Sequence, residues 1–202
     1  LRVTDVQSKE RKRRPAPPFI TSTLQQEAAR KLGFSTSRTM RVAQKLYEGV
    51  ALGDEGTVGL ISYMRTDSVN LSAEAIAELR DVIARDFGTH ALPDKPNLYQ
   101  TKSKNAQEAH EAIRPTSALR TPASVAKYLD DDARRLYELI WKRAVACQMV
   151  PATLNTVSVE LACGSEHAFR ASGTTVVDPG FLAVYEEGKD QKAAEDEDEG
   201  RK

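Results

Sequence analysis

Prolines mark the two positions at which this chain changes its apolar pattern, and that change constrains the fold more than any other feature. The segment Pro15-Ala-Pro-Pro18 interrupts regular structure, because proline lacks a backbone N–H and fixes its own φ. From there to Pro151, apolar side chains recur at helical spacing. Over residues 157–161 they alternate with polar ones, which is the period of a strand. The sequence therefore predicts an α+β chain, helical over residues 15–150 and β-rich over residues 151–185.

Four main helices are predicted in the helical part. Their predicted bounds are residues 21–32, 35–49, 72–87 and 133–149. Ser22 and Gln25 fit a capping box at the start of the first helix. The first two helices, followed by a short strand at Val58, are typical of a helix-turn-helix with a wing, although an ordinary packed helix pair is the commoner explanation. Arg38 and Arg41 are then expected on the exposed face of the second helix.

Short strands are predicted on both sides of the helical part. Residues 1–8 are expected to form a strand that can pair with the C-terminal sheet. The further strands of that sheet are predicted at residues 157–161, 168–171, 174–177 and 181–185. The basic run at residues 9–14 is interpreted as a solvated connection, with a phosphate contact as the alternative. Residues 186–202 are acidic, nearly free of apolar side chains, and predicted to be mobile.

The charge distribution favours a polyanionic partner. Residues 1–50 hold eleven Lys or Arg against four Asp or Glu, a net charge of +7, although the whole chain is neutral. Apolar residues make up 40% and charged residues 29%, as in soluble globular proteins. With no 18-residue apolar run and no signal-peptide pattern, a cytoplasmic location is expected. Cys147 and Cys163 have no partner at metal-ligand spacing and are expected to be buried thiols.

Residues 59–72 form the candidate functional stretch. They run from a short apolar segment to Ser72, a favourable N-cap, so Tyr63 and Arg65 are expected between a strand and a helix N-terminus. A phenol can attack a phosphodiester, but a free tyrosine has a pKa of about 10, so its proton must be removed and the oxyanions stabilised. A guanidinium fits two phosphate oxygens. On spacing alone, however, a half-buried aromatic beside a surface charge is the commoner interpretation.

Four motifs that occur in order along the chain favour the functional interpretation of Tyr63 and Arg65 over the structural one. The segment Leu60-Ile-Ser-Tyr-Met-Arg-Thr-Asp-Ser68 resembles the active-site signature of type IA DNA topoisomerases, in particular those of bacteria. Three other segments resemble the same family in the same order: Pro18-Phe-Ile-Thr-Ser-Thr-Leu-Gln-Gln-Glu-Ala28, Ala43-Gln-Lys-Leu-Tyr-Glu-Gly49 and Gln107-Glu-Ala-His-Glu-Ala-Ile-Arg-Pro115. The chain is therefore identified as resembling this family over residues 15–150.

The resemblance implies a role for each matching residue. It makes Tyr63 the nucleophile that forms a 5′-phosphotyrosine, and Arg65 a contact of the scissile phosphate. It places His110 in a nucleotide-binding pocket, with Arg114 expected one helical turn away on the same side. The implied activity is ATP-independent relaxation of negatively supercoiled DNA by single-strand cleavage, strand passage and religation. Single-stranded and negatively supercoiled DNA are therefore the expected partners.

The resemblance also implies what lies elsewhere. The family carries an Asp-x-Asp-x-Glu Mg²⁺ site on a toprim domain, and residues 130–132 and 195–199 do not match it. The four-cysteine zinc motifs of many members are also missing from the sequence. We therefore expect an internal fragment with no metal site of its own, inactive without the toprim domain. Residues 1–14 and 151–185 are expected to belong to a β-arch domain, and residues 15–150 to a mainly helical, winged-helix-like nucleophile domain.

Two other classes of protein remain open at this point. A non-catalytic helix-turn-helix DNA-binding module would use the exposed face of the second helix and would need no reactive phenol. A structural domain would bury Tyr63 in its core. Exposure of the Tyr63 side chain separates the enzyme from the structural domain, and the ordered family motifs separate it from the DNA-binding module.

Overall fold

A computed structural model of the chain describes residues 1–100, 110–164 and 166–188. The structure combines helices over the middle of the chain with strands near its two ends, as predicted for an α+β fold. The strands are β1 (Arg2–Arg13), β2 (Val50–Ala51), β3 (Thr57–Val58), β4 (Ala152–Cys163) and β5 (His167–Asp178). The α-helices are α1 (Thr21–Leu32), α2 (Thr36–Glu48), α3 (Ala73–Phe87), α4 (Pro122–Val125) and α5 (Asp131–Cys147). Short 3₁₀ turns cover Gly53–Glu55, Thr89–Ala91, Ala126–Tyr128 and Gly180–Ala183.

A three-stranded antiparallel sheet pairs the N-terminal strand with the two C-terminal strands, in the order β1-β4-β5. The predicted pairing of the N-terminal strand with the C-terminal sheet is confirmed. The strand is longer than expected, since the basic run at residues 9–13 continues β1 instead of forming a connection. The two strands predicted at residues 168–171 and 174–177 form one continuous strand, β5, in which Gly173 pairs with Val157. The predicted strand at residues 181–185 is wrong, because this segment turns back in a 3₁₀ helix.

Helix α5 is the centre of the hydrophobic core. The apolar spacing of the sequence predicts a buried stripe of Leu136, Ile140, Trp141 and Cys147. All four are buried, as are other positions around much of the helix. Helices α1, α2, α3 and α4 all pack against it. A helix with apolar side chains on most of its faces must be surrounded by other elements, so α5 fixes where the others can lie.

Side-chain caps set the starts of three of the four long helices. The hydroxyls of Ser35 and Ser72 and the carboxylate of Asp130 accept backbone N–H groups in the first turns of α2, α3 and α5. The predicted capping box of Ser22 is wrong, because α1 begins at Thr21. Ile20 occupies its cap position, and its N–H donates to the hydroxyl of Thr23 at 3.0 Å.

The sheet joins the helical part at one end, where the chain crosses between them three times. Prolines stand at or next to each crossing: Pro15 after β1, Pro151 before β4 and Pro179 after β5. The last two crossings touch, since the Phe181 N–H donates to the Val150 carbonyl at 3.1 Å. All of β5 is exposed to solvent, including Phe169 and Val176.

A buried polar cluster holds the segment after β5 against the helices. The Tyr185 hydroxyl donates to Glu27 of α1 at 2.6 Å, and Arg143 of α5 donates to the same hydroxyl at 3.2 Å. Arg143 also bonds to Glu187, and its guanidinium stacks over the ring of Phe19. Burial raises the pKa of the Tyr185 phenol, so it remains a hydrogen-bond donor at neutral pH. The first residues of the segment predicted to be mobile are therefore anchored, while residues 189–202 lie outside the described part.

Within residues 1–100, 110–164 and 166–188, none of the helices has the length and apolar character required to cross a membrane. Cys147 is buried, as expected, but Cys163 is exposed at the far end of β4. That correction follows from the sheet, because its far end extends away from the core. The predicted division into domains stays a prediction.

Candidate active site

The stretch from Gly59 is anchored to two neighbouring segments. The Leu60 N–H donates to the Leu46 carbonyl near the end of α2 at 2.7 Å. On its other side, Ile61 pairs with Pro115 in an isolated antiparallel bridge. Leu60 and Ile61 are buried, so this end of the stretch is fixed by apolar packing as well as by backbone hydrogen bonds.

Tyr63 is exposed between two anchored residues. The Ser62 N–H donates to the Arg114 carbonyl at 2.9 Å, and the Ser62 hydroxyl donates to the Ala112 carbonyl at 2.6 Å. Met64 is fully buried, whereas the Tyr63 side chain is 46% exposed and Arg65 is also exposed. Their two-residue spacing therefore presents the phenol and the guanidinium to solvent on either side of an apolar anchor. The hypothesis that Tyr63 belongs to the core is wrong.

The N-terminus of α1 holds the second half of the stretch. The Thr21 hydroxyl donates to the Met64 carbonyl at 2.8 Å and accepts the Thr66 N–H at 2.9 Å. The Thr21 N–H donates to the Thr66 carbonyl at 3.0 Å. Because Thr21 is the first helical residue, these bonds bring the positive end of the α1 dipole next to Arg65.

A groove of about 440 Å³ brings two of the predicted site residues together. Arg65 and His110 both line it, with Ser22 at the start of α1 and Asp67 of the motif. The sequence also predicts a short helix that begins at residue 103 or 105 and ends at His110. Residues 101–109 lie outside the described residues, and His110 itself is exposed. A cationic side chain beside a helix N-terminus favours an anion, whereas the carboxylate of Asp67 partly offsets that charge. Tyr63 and Arg114 are not among the residues that line this groove.

The Arg114 carbonyl accepts the Ser62 N–H of the motif, and the Arg114 guanidinium is paired with Glu111. Its Nη2 donates to Glu111 Oε2 at 2.7 Å and its Nε to the same oxygen at 3.1 Å. The other carboxylate oxygen of Glu111 accepts the Ser72 N–H at 2.7 Å, at the start of α3. Burial acts to raise the pKa of Glu111, but the bonds from Arg114 and Ser72 outweigh it and the pKa is lowered.

The expected helical relation between His110 and Arg114 is wrong. Residues 110–112 are not helical, and Ile113 pairs with Phe19 in an antiparallel bridge. The proline at 115 favours extended backbone before it, which explains this conformation. The part of Arg114 in nucleic-acid binding stays a prediction, and its side chain is only 18% exposed.

Sequence reasoning missed two residues that assemble the site. Thr21 connects α1 to the motif, and Glu111 connects Arg114 to the start of α3. Both lie inside segments that carry the family resemblance, which was the available signal. Neither residue type has a spacing that would have indicated its role, since threonines and glutamates are common on surfaces.

A helix-turn-helix module would bind DNA through the exposed face of α2, but the charge of Arg38 on that face is paired with Asp132. Arg38 donates from Nε and Nη2 to the two carboxylate oxygens of Asp132 at 2.8 and 2.7 Å. The bond from Arg38 lowers the pKa of Asp132, so the pair stays ionised near neutral pH. An arginine bonded in this way has fewer donors for base edges, which disfavours a module that binds DNA through α2 alone.

In the described residues there is no group of three His, Cys, Asp or Glu side chains arranged to hold a metal ion. Asp130 caps α5, and Asp132 pairs with Arg38.

A family model described as DNA topoisomerase matches residues 1–201. Among curated proteins, DNA topoisomerase 1 of Xylella fastidiosa (strain 9a5c) is 76% identical over 202 residues, which are 100% of this chain and 25% of that protein. DNA topoisomerase 1 of Rickettsia felis is 53% identical over 195 residues, covering 96% of this chain and 25% of that protein. The chain thus spans about a quarter of the length of the curated relatives it matches.

A solved structure, the full-length topoisomerase I from Thermotoga maritima in a monoclinic crystal form, shares the fold. The two superpose with a TM-score of 0.79 at 38% identity. The match covers 93% of this chain and 32% of that one. The arrangement of helices and sheet described above is therefore shared with a much longer protein.

Proposed function

The chain belongs to the bacterial type IA DNA topoisomerase family, and on that basis we propose that it supplies the nucleophile of an ATP-independent enzyme that relaxes negatively supercoiled DNA. The single observation that carries the proposal is the exposed Tyr63 phenol, held between anchored residues and followed by the exposed Arg65. In the proposed reaction, the phenol oxygen attacks a backbone phosphorus and the bond to the 3′ oxygen breaks. The phenol loses its proton and the 3′ oxygen gains one.

Religation is the reverse of this step. The 3′ hydroxyl attacks the 5′-phosphotyrosine and releases the phenol, so the energy of the ester is kept and no ATP is needed. Passage of the other strand occurs while the covalent link holds the broken end. The proposed role of Arg65 is to bond the phosphate oxygens whose charge grows in the transition state, because a planar guanidinium can donate two parallel hydrogen bonds.

The groove beside Arg65 supports a nucleotide-binding role for His110. Both side chains line it together with Ser22 in the first turn of α1, where the positive end of the helix dipole favours an anion. Single-stranded DNA is the proposed ligand, because its flexible backbone can follow such a groove. For Arg114 we propose the weaker role of a nearby positive charge, since its guanidinium already bonds Glu111 and the Pro115 carbonyl.

Other parts of the reaction are proposed to lie outside the described residues. A phenol needs a proton acceptor and a 3′ oxygen needs a proton donor or a metal-organised site. We propose that a toprim domain of the same longer protein supplies these groups and the ligands for Mg²⁺. The proposed location is the bacterial cytoplasm, at the nucleoid.

The test uses the longer protein that contains this chain, with labelled single-stranded DNA and Mg²⁺. We expect Tyr63→Phe to abolish the denaturation-resistant protein–DNA adduct, because the attacking oxygen is lost. Tyr128→Phe, which removes a phenol elsewhere, is the control and should leave the adduct unchanged. An adduct formed at normal yield by the Tyr63→Phe protein would refute the assignment.

The isolated 202 residues are predicted to neither cleave nor relax DNA. Losing one oxyanion donor typically costs about a hundredfold or more in rate. The isolated chain is proposed to lack all the groups that the toprim domain would supply. The measurement is incubation of the pure chain with supercoiled plasmid and Mg²⁺. Relaxation, or an adduct at Tyr63, would show that the chain is catalytically complete.

A further inference from the structure

A second tyrosine lies against the proposed nucleophile. The ring of Tyr47, in the last turn of α2, meets the ring of Tyr63 with centroids 5.2 Å apart and planes inclined at 62°. Aromatic rings prefer this edge-to-face arrangement, because the positive edge of one faces the negative face of the other. Both rings are partly exposed, at 40% for Tyr47 and 46% for Tyr63, so the pair lies at the surface where a DNA strand would approach.

The backbone around Tyr47 is held close to the motif. Leu46 is fully buried and its carbonyl accepts the Leu60 N–H at 2.7 Å. Gly59 makes this approach possible, since a Cβ at that position would lie 2.7 Å from the Tyr47 carbonyl oxygen. The glycine that opens the motif therefore lets the end of α2 and the segment leading to Tyr63 run in contact.

An exposed tyrosine can adopt several χ1 rotamers, and only some would direct its hydroxyl toward a bound phosphate. The backbone of Tyr63 is fixed through Ser62 and Met64, but these anchors do not fix its ring. The edge contact with Tyr47 acts on the ring itself. It reduces the set of orientations that the phenol samples before DNA binds, which is how preorganisation raises a rate.

We propose that Tyr47 is a positioning residue, whose ring holds the Tyr63 phenol in the orientation for attack on the DNA phosphate. This inference rests on the proposed function, because it assigns Tyr47 a role only in a reaction carried out by Tyr63. The role belongs to the ring and not to the hydroxyl of Tyr47. An edge-to-face pair of this kind corresponds to about a twofold to tenfold effect on a rate.

The experiment uses the longer protein that contains this chain, single-stranded labelled DNA and Mg²⁺, in single turnovers at saturating protein. We expect Tyr47→Ala to slow adduct formation by about threefold to tenfold. Tyr47→Phe should restore the rate, because its ring keeps the edge contact. DNA affinity, measured for each variant in a Tyr63→Phe background that cannot cleave, should change by less than about twofold. Leu119→Ala, which removes a similarly exposed apolar side chain, is the control and should leave the rate unchanged.

The outcomes separate the two proposals. If Tyr63→Phe still yields adduct, the proposed function fails. If Tyr63→Phe is inactive but Tyr47→Ala cleaves at the parental rate, the positioning role alone is overturned. A Tyr47→Phe protein as slow as Tyr47→Ala would also overturn it, since the hydroxyl would then be responsible. Should the thermal midpoint show that Tyr47→Ala is unfolded, Tyr47→Leu keeps apolar bulk at the end of α2, and a parental rate in that variant would overturn the ring assignment.

Discussion

The Glu111 carboxylate is predicted to stabilise the fold next to the candidate site, because it connects Arg114 to the start of α3. One oxygen accepts the Ser72 N–H at the start of α3, and the other accepts two donors of Arg114. Glu111→Gln can keep the acceptor for Ser72 but loses the negative charge opposite Arg114. Glu111→Ala loses both sets of bonds and leaves the Arg114 guanidinium, which is 18% exposed, without its carboxylate.

The size of each effect follows from these contacts. Hydrogen bonds to charged groups contribute about 1.5–3 kcal/mol, and exposed ion pairs contribute less than about 1 kcal/mol. The Glu111 side chain is 31% exposed, so its pair with Arg114 lies between these limits. We expect the free energy of unfolding to fall by about 1–2 kcal/mol in Glu111→Gln and about 2–4 kcal/mol in Glu111→Ala.

The sign of the pH dependence is fixed by the lowered pKa of Glu111. A carboxyl group with a lowered folded-state pKa stabilises the protein above its unfolded pKa of about 4.3 and loses that contribution as pH falls through the folded value. The difference between the parent and Glu111→Gln should therefore be largest near pH 7. It should shrink steadily at acidic pH below about 4.3.

Urea unfolding followed by tryptophan fluorescence measures these differences. The chain has one tryptophan, Trp141, which is buried and donates to the Ala118 carbonyl at 2.9 Å. Glu74→Gln, at an exposed acid in the first turn of α3, is the matched control and should change stability by less than about 0.5 kcal/mol. Equal losses in Glu74→Gln and Glu111→Gln, or a Glu111→Gln loss that does not shrink at acidic pH, would refute the reasoning.

Three further predictions concern single residues. In the longer protein, Arg65→Lys should slow cleavage by about tenfold or more with a smaller loss of DNA affinity, because the planar fork is lost and the charge is kept; an unchanged single-turnover rate would contradict this. His110→Ala should weaken binding of single-stranded DNA, because the imidazole lines the groove proposed to hold the strand; unchanged binding, measured by fluorescence anisotropy, would remove His110 from the groove's function. Tyr185→Phe should lower the free energy of unfolding by about 1–3 kcal/mol in urea titrations, because Glu27 and Arg143 both lose a buried partner; a change below about 0.5 kcal/mol would show that the cluster is redundant.

The helices were largely predictable because their signals are local. Ser72 caps α3 at the predicted position, α5 begins two residues before its predicted start, and the buried stripe of α5 follows its apolar spacing. Strand lengths were less predictable, since the basic run at residues 9–13 has no strand signal of its own. That run is extended because β4 pairs with eleven of the twelve residues of β1, including all of residues 9–13. Pairing over a distance of some 140 residues in sequence decides its conformation.

In the candidate site, too, the local motif was predictable from the sequence and the contacts with other segments were not. The sequence motif identified Tyr63 and Arg65, and their alternation around Met64 explains why both are exposed. The contacts that hold the motif come from α1, α2 and residues 111–116, which are distant in sequence. A single sequence cannot show which threonine or glutamate meets which backbone N–H after folding. For that reason Thr21 and Glu111 emerged from the structure.

The sheet joins the helical part at the three proline-flanked crossings, so a small rotation there moves its far end by a large distance. Each of its long strands has 12 residues, so the sheet extends roughly 40 Å from its attachment to the helical part. At that length, a rotation of about 10° at the attachment carries the far end of β4 through about 7 Å. The backbone is closely packed at this attachment, since a Cβ at Gly180 would lie 2.5 Å from the Pro151 carbonyl oxygen. Bulk added at Gly180 should therefore displace the attachment and change the direction in which the whole sheet extends.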